Sequence, residues 1–282
     1  MADAIGVLLG LVRAAIWPAI VTLTIVIAIP RVLRPRHAIS WLYIGAFVVA
    51  YCVGHALEAG PDWRLVPTRN WQWMFYIVPF AGVAGAVCAS SRTTLIGRCL
   101  IFVVTAALTA GLLTSKPVLW APRIVSICLV ITFVIVLWAS LKPLELQISL
   151  PALAFAFALA GGALGVMISE QISAADGAIV AAAAAALFCI ALGARLTPRA
   201  GSAEGLSLPV AVTLGGWAWI QVLSEARLWP LLAVPFALLA LWLPRFGPLT
   251  RLRGAAALAV QCSGIVIAVV LINLILKIPA GG

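Results

Sequence analysis

The chain has 282 residues, of which 65% are hydrophobic and only 9% charged, where a soluble domain carries about 25% charged residues. A soluble fold of this length cannot hide so much apolar surface, which excludes a water-soluble globular protein and makes lipid the solvent. The net charge of +10 does not point to nucleic acid, because the basic residues sit in short connections between apolar runs, where they orient helices and meet lipid headgroups.

A membrane-spanning helix needs about 20 mostly apolar residues. Ten stretches qualify in order: Leu11–Ile29, Ala38–Leu57, Trp71–Ala89, Leu95–Leu113, Ile124–Leu141, Ile148–Ile168, Ala178–Ala194, Leu206–Leu223, Leu228–Leu243 and Ala255–Leu276. The expected fold class is therefore all-α, a polytopic transmembrane bundle of about ten helices, with residues 1–282 forming a single integral membrane domain. The opening MADAIGVLLGLVRAA has no basic stretch before its apolar run, so the first helix is expected to stay rather than be cleaved. Only Ser224 to Arg227 separate the eighth helix from the ninth, which predicts a tight helical hairpin.

Loop charge sets the orientation. The odd-numbered connections carry 11 basic residues against two acids, Glu145 and Glu204. The even connections and both termini carry seven basic residues against six acids. This asymmetry predicts a cell (inner) membrane protein with the odd connections in the cytoplasm and both termini on the other side.

Small residues mark close helix approaches. Gly161 and Gly165 form GxxxG in the sixth helix, Ala81/Gly85 and Gly82/Ala86 do the same in the third, and alanines run unbroken over 181–186 in the seventh. Packing within one bundle is the expected use. A short echo links the third and ninth helices, which read Val78-Pro79-Phe80 and Val234-Pro235-Phe236. Paired broken helices of this kind can mark a transporter site between repeats, but a three-residue match in so restricted a composition is better explained by chance; ten helices permit a five-plus-five arrangement that no sequence similarity demands.

The candidate site residues gather round the longest polar interruption, His55 to Trp73. His55 and Glu58 share one helix face at i and i+3, and Asp62 follows after Gly60-Pro61, which should stop the helix. A histidine with two carboxylates is a metal or acid–base set, but His37 lies on the opposite side and no second histidine joins them, so no metal is assigned. Arg64 and Arg69 are expected to pair Asp62 and Glu58. Trp63, Trp71, Trp73 and Tyr76 suit a belt at the headgroup level. Asn70, Gln221, Glu225 and Gln261 complete the candidate binding set. Gln221 and Gln261 are expected either to hydrogen-bond between helices or to line a polar path, and Glu170 and Glu225 to form an acidic cluster beside Arg227.

Six cysteines, in or beside apolar runs and without a C-x-x-C pair, read as buried hydrophobes. No phosphate-binding loop, nucleophile elbow, zinc-protease or haem-attachment motif is present, and no cofactor is expected. No chain of ionisable residues crosses the membrane, which argues against a proton pump.

In length and helix count the chain is similar to the drug/metabolite-type transporters; no motif accompanies that likeness. Three functions fit the sequence. The first is a small-solute transporter or permease, with membrane lipid and a small-molecule solute as partners. The second is a structural or accessory membrane subunit without chemistry. The third is a membrane-embedded enzyme with its polar centre, His55, Glu58 and Asp62, at the outer leaflet.

Overall fold

The structure, a computed structural model, describes residues 2–30, 40–60, 66–90, 93–115, 122–197, 203–245, 249–250 and 252–277, with side chains from residue 12 onward. Among these residues it is an all-α bundle of ten helices without a strand. Helix α1 spans Ala2–Leu23 and runs on through a π-helical turn, Thr24–Ala28. Next come α2 (Ser40–Ala59), α3 (Met74–Ala89, entered by a 3-10 turn at Asn70–Trp73) and α4 (Leu95–Leu113). Then follow α5 (Arg123–Leu141, leaving through a 3-10 turn at Lys142–Leu146), α6 (Leu150–Gln171) and α7 (Ala174–Leu196). The last three are α8 (Ser207–Ser224), α9 (Ala226–Arg245) and α10 (Ala255–Lys277).

Nine of these are long and apolar enough to cross a membrane, and the described side chains of α1 add a shorter apolar stretch, Val12–Ala28. Bare apolar faces agree with lipid as the solvent: Leu95, Ile96 and Leu100 on α4, and Ile267, Leu271 and Leu274 on α10, are exposed. Cys99 and Cys128 lie on such exposed faces of α4 and α5, whereas Cys88 and Cys189 are buried. Cys52 and Cys262 are half-buried, so the expectation of six buried cysteines holds fully only for Cys88 and Cys189, because an apolar run has a lipid side as well as a core side.

Helix α8 is the axis of the bundle. Burial covers 94% of its apolar window, against 17% for α10. It packs on α3, α4, α5, α6 and α9. Every residue from Ser207 to Leu223 is buried. Beside it, α7 lies against α1, α2 and α6. The α6–α7 seam uses the glycines expected to serve it. A Cβ on Gly165 would stand 2.9 Å from the Gly177 carbonyl, and one on Gly161 would stand 3.3 Å from Ala184. Helix α7 starts four residues before the predicted apolar run. The Ser173 hydroxyl accepts the Asp176 N–H at 3.4 Å and caps it, a polar start that an apolar window does not see.

The ninth span is mostly 3-10: Ala226–Leu232 and Ala237–Arg245 flank a single α turn, Ala233–Phe236. Pro230, Pro235 and Pro244 supply the cause. Each lacks an N–H and each disfavours α geometry in the residue before it. Twenty residues wound mainly at roughly 2.0 Å each reach roughly 40 Å, more than an α-helix of that length.

Side-chain contacts sort the connections into two ends. At one end Glu145 reaches Gly205 and Ser207, the charges of Lys142 and Glu145 reach Cys88, and the Trp242 indole donates to the Ser140 carbonyl at 3.1 Å. The third, fifth, seventh and ninth connections therefore meet there. At the other end the Ser115 hydroxyl donates to Asn70 Oδ1 at 3.3 Å, and Asp176 lies beside Gln221. That joins the second, fourth, sixth and eighth connections. Among the described residues, the second to ninth connections thus alternate between the two ends.

Candidate functional site

The His55 end of α2 is built as the loop sequence implies. Helix α2 stops at Ala59, and Gly60 takes φ of +48°, where glycine carries no Cβ penalty. The chain re-enters at Asn70. Gln72 organises that return: its buried Oε1 accepts the Thr68 N–H at 2.6 Å and the Arg69 N–H at 3.0 Å.

His55 faces the bundle and is 1% exposed. Its ring is enclosed by Trp71, Phe75, Tyr51 and Trp217, with centroids 5.4, 5.6, 5.7 and 6.4 Å away. The Trp217 indole donates to the Tyr51 hydroxyl at 3.1 Å, and that oxygen lies 3.3 Å from His55 Nδ1. An indole N–H only donates, so the phenol oxygen accepts from Trp217 and its own hydrogen is left for Nδ1. This arrangement satisfies all three groups and leaves the imidazole proton on Nε2. Trp71 is half-buried against His55. The two rings meet at a tilt of 41°.

The other candidates disperse. Glu58 is half-buried, and the cation acting on it is Arg13 of α1, while Arg69 acts on Asp176 of α7. Glu58 and Arg69 thus lie near charges on other helices, and no ion pair joins them to each other among the described residues. Asp62, Arg64 and Trp63 lie outside the described residues. Asn70 accepts from Ser115. Glu225 pairs with Arg227 as an exposed ion pair, which contributes little. Gln261 bridges helices, its Nε2 donating to the Leu241 carbonyl at 2.8 Å.

Gln221, one helical turn beyond Trp217, is 1% exposed. Its amide approaches the Asp176 carboxyl without reaching hydrogen-bond geometry, so Nε2 stays buried and unpartnered. Two more polar atoms on α8 share that state, Trp219 Nε1 and Ser207 Oγ. Sequence reasoning passed over Tyr51, Trp217, Trp219, Ser207 and Asp176. The available signal was spacing: Tyr51 to His55 and Trp217 to Gln221 are both i, i+4 and share a helix face.

Glu145 was also read only as one of two acids among many bases. It is 3% exposed. Its carboxylate accepts the Gly205 N–H at 3.0 Å and the Ser207 N–H at 2.7 Å, and pairs with Lys142. A carboxylate at the start of α8 meets the positive end of the helix dipole and two amides that lack helical partners. Pro79 lies within α3, and Pro235 in the α turn of α9. Those helices do not form a major contact with each other; both pack on α8. Compared with family models, curated proteins and solved structures, the chain matches none.

Proposed function

We propose that this multi-pass membrane protein is a small-solute permease of the cell (inner) membrane, with both termini on the non-cytoplasmic side. The observation that carries the reading is the polarity of α8. The most enclosed helix of the bundle holds Ser207 Oγ, Trp219 Nε1 and Gln221 Nε2 buried without partners. Each such group costs about 1–3 kcal/mol, and an axis that only holds a fold together is better built without them. A solute or water passing beside α8 supplies the missing partners.

Helix pairing supports the same reading. Contacts α1–α2, α3–α4 and α4–α5 recur five helices later as α6–α7, α8–α9 and α9–α10, and α2–α7 and α3–α8 meet across the halves, while α2–α3 and α1–α7 have no such counterpart among the main contacts. Repeats facing each other in this way place transporter sites between them. The candidate solute-facing groups are Gln221 and Asp176, with His55 behind them in its aromatic enclosure; Trp219 lies on the other side of α8, against Phe133 of α5.

The test uses purified protein in lipid nanodiscs and a panel of amino acids, sugars, polyols, amines and organic acids. On this reading at least one class raises the unfolding midpoint of the wild type and none does so for Gln221→Leu, which is itself more stable without ligand. A panel without effect on the wild type, together with the same stability gain, favours the accessory subunit. The enclosure of His55 by four protein rings is the observation on that side, since it fills the aromatic pocket with the chain's own side chain.

A further inference from the structure

We propose that Glu145 is the latch of a gate at the end of the bundle opposite His55. Its carboxylate pins the start of α8 to the end of α5, and its release opens that end. The inference rests on the permease reading for its purpose, since only a protein that alternates between two faces needs such a gate.

Three observations converge on the same few residues. The first is the bonding: a side chain with no exposed surface holds two backbone N–H groups 60 and 62 residues away, together with the Lys142 ammonium. The second is the joint. Gly205 takes φ of +85°, and its carbonyl and that of Gly85 each occupy the place where the other's Cβ would stand. Helix α3 thus touches the turn into α8 backbone to backbone, with the Pro209 and Ile44 side chains beside the contact, so this joint is held by packing that the latch adds to. The third is Ser207, whose N–H belongs to the latch while its hydroxyl is buried without a partner. Opening this end hydrates that hydroxyl, which favours the open state and offsets part of what the latch supplies. A strong pin beside an unsatisfied group makes an element with two accessible states.

Charges near the latch include Lys142 on its own turn, Glu204 beside Gly205, and Arg98 from α4; Lys142 and Arg98 both act on Cys88 of α3. Cys88 is 3% exposed, and its thiol faces the Arg98 carbonyl at 4.0 Å. It is a built-in reporter of water entry at this end.

The experiment keeps Cys88 and replaces Cys52, Cys99, Cys128, Cys189 and Cys262 with alanine in the full chain, in nanodiscs. Cys88 is alkylated with a charged, water-soluble maleimide. Glu145→Gln keeps the shape, removes the charge and turns an amide toward backbone donors. The expected result is a rise in alkylation rate of at least about tenfold, the population change for losing a charged hydrogen bond. An unchanged rate in folded Glu145→Gln overturns the latch. If Glu145→Gln does not fold, Glu145→Asp is used: it keeps the charge but withdraws it by one methylene, and the same rise or its absence decides. The solute panel above is scored separately. A faster Cys88 with no solute effect leaves the latch standing and removes the permease, and the reverse pattern removes only the latch.

Discussion

The Trp217 indole N–H donates to the Tyr51 hydroxyl at 3.1 Å across 166 residues of chain, and so ties the central helix α8 to α2. The bond is the middle of a buried chain ending at His55. Tyr51→Phe leaves an indole N–H without an acceptor and His55 Nδ1 without a donor. The expected loss is about 2 kcal/mol of unfolding free energy. His55→Ala also opens a ring-sized space among four aromatic side chains and should cost more, about 3 kcal/mol. Reversible unfolding in mixed micelles measures both. A His55→Ala protein of wild-type stability that has lost its solute response makes His55 a ligand-binding residue instead of a clasp.

Two glycine substitutions should separate sharply. A Cβ on Gly85 collides with the Gly205 carbonyl, a backbone atom that cannot turn away, and sits against Pro209 as well. Gly85→Ala should abolish accumulation of folded protein. Gly45 has nothing within 4 Å of an added Cβ and lies inside α2. Gly45→Ala should be neutral or stabilise by about 0.5–1 kcal/mol through lower backbone entropy in the unfolded chain. Detergent-resistant monodispersity and melting midpoints report the contrast, and equal behaviour of the two variants contradicts the packing described.

Orientation is open to a direct measurement. Reporter fusions after Arg36, Arg98, Arg199 and Arg253 should all register the cytoplasm, and a fusion after Gly282 the opposite face, as the excess of basic residues on the odd connections requires. A cytoplasmic reading from the last fusion inverts the proposed topology.

Gln261→Leu removes the donor to the Leu241 carbonyl and leaves that oxygen enclosed between α9 and α10. The expected cost is about 1 kcal/mol, read as a lower melting midpoint with solute response retained. Loss of solute response at unchanged stability would place Gln261 on the solute path.

The fold was legible where one physical rule acts alone. Apolar length marked the spans, Gly60-Pro61 ended α2, and Ser224–Arg227 made the α8–α9 hairpin. Gly161 and Gly165 announced a close approach, although not that Ala184 and Gly177 would meet them. The site was much less legible. Tyr51 and Trp217 look like any aromatic residue in an apolar run until two distant helices bring the hydroxyl and the indole together. Glu145 sits in a turn whose neighbours suggest solvent, and only the arrival of the Gly205–Ser207 backbone makes its burial possible. Arg13 lies near Glu58 and Arg69 near Asp176, neighbours set by helix adjacency, which local sequence does not contain.

The winding of α9 has a consequence for how the chain tolerates length changes. At three residues per turn, side chains at i and i+3 line up along the axis instead of spiralling round it. Ala240 and Leu243 form such a straight row, and both stand 2.8 Å from where a Cβ on Gly264 of α10 would be. This segment therefore counts in threes. Removing one residue from the Ala237–Arg245 run turns every later side chain by about 120° and brings a wrong row to face Gly264. Removing three shortens the rod but leaves the same edge against α10.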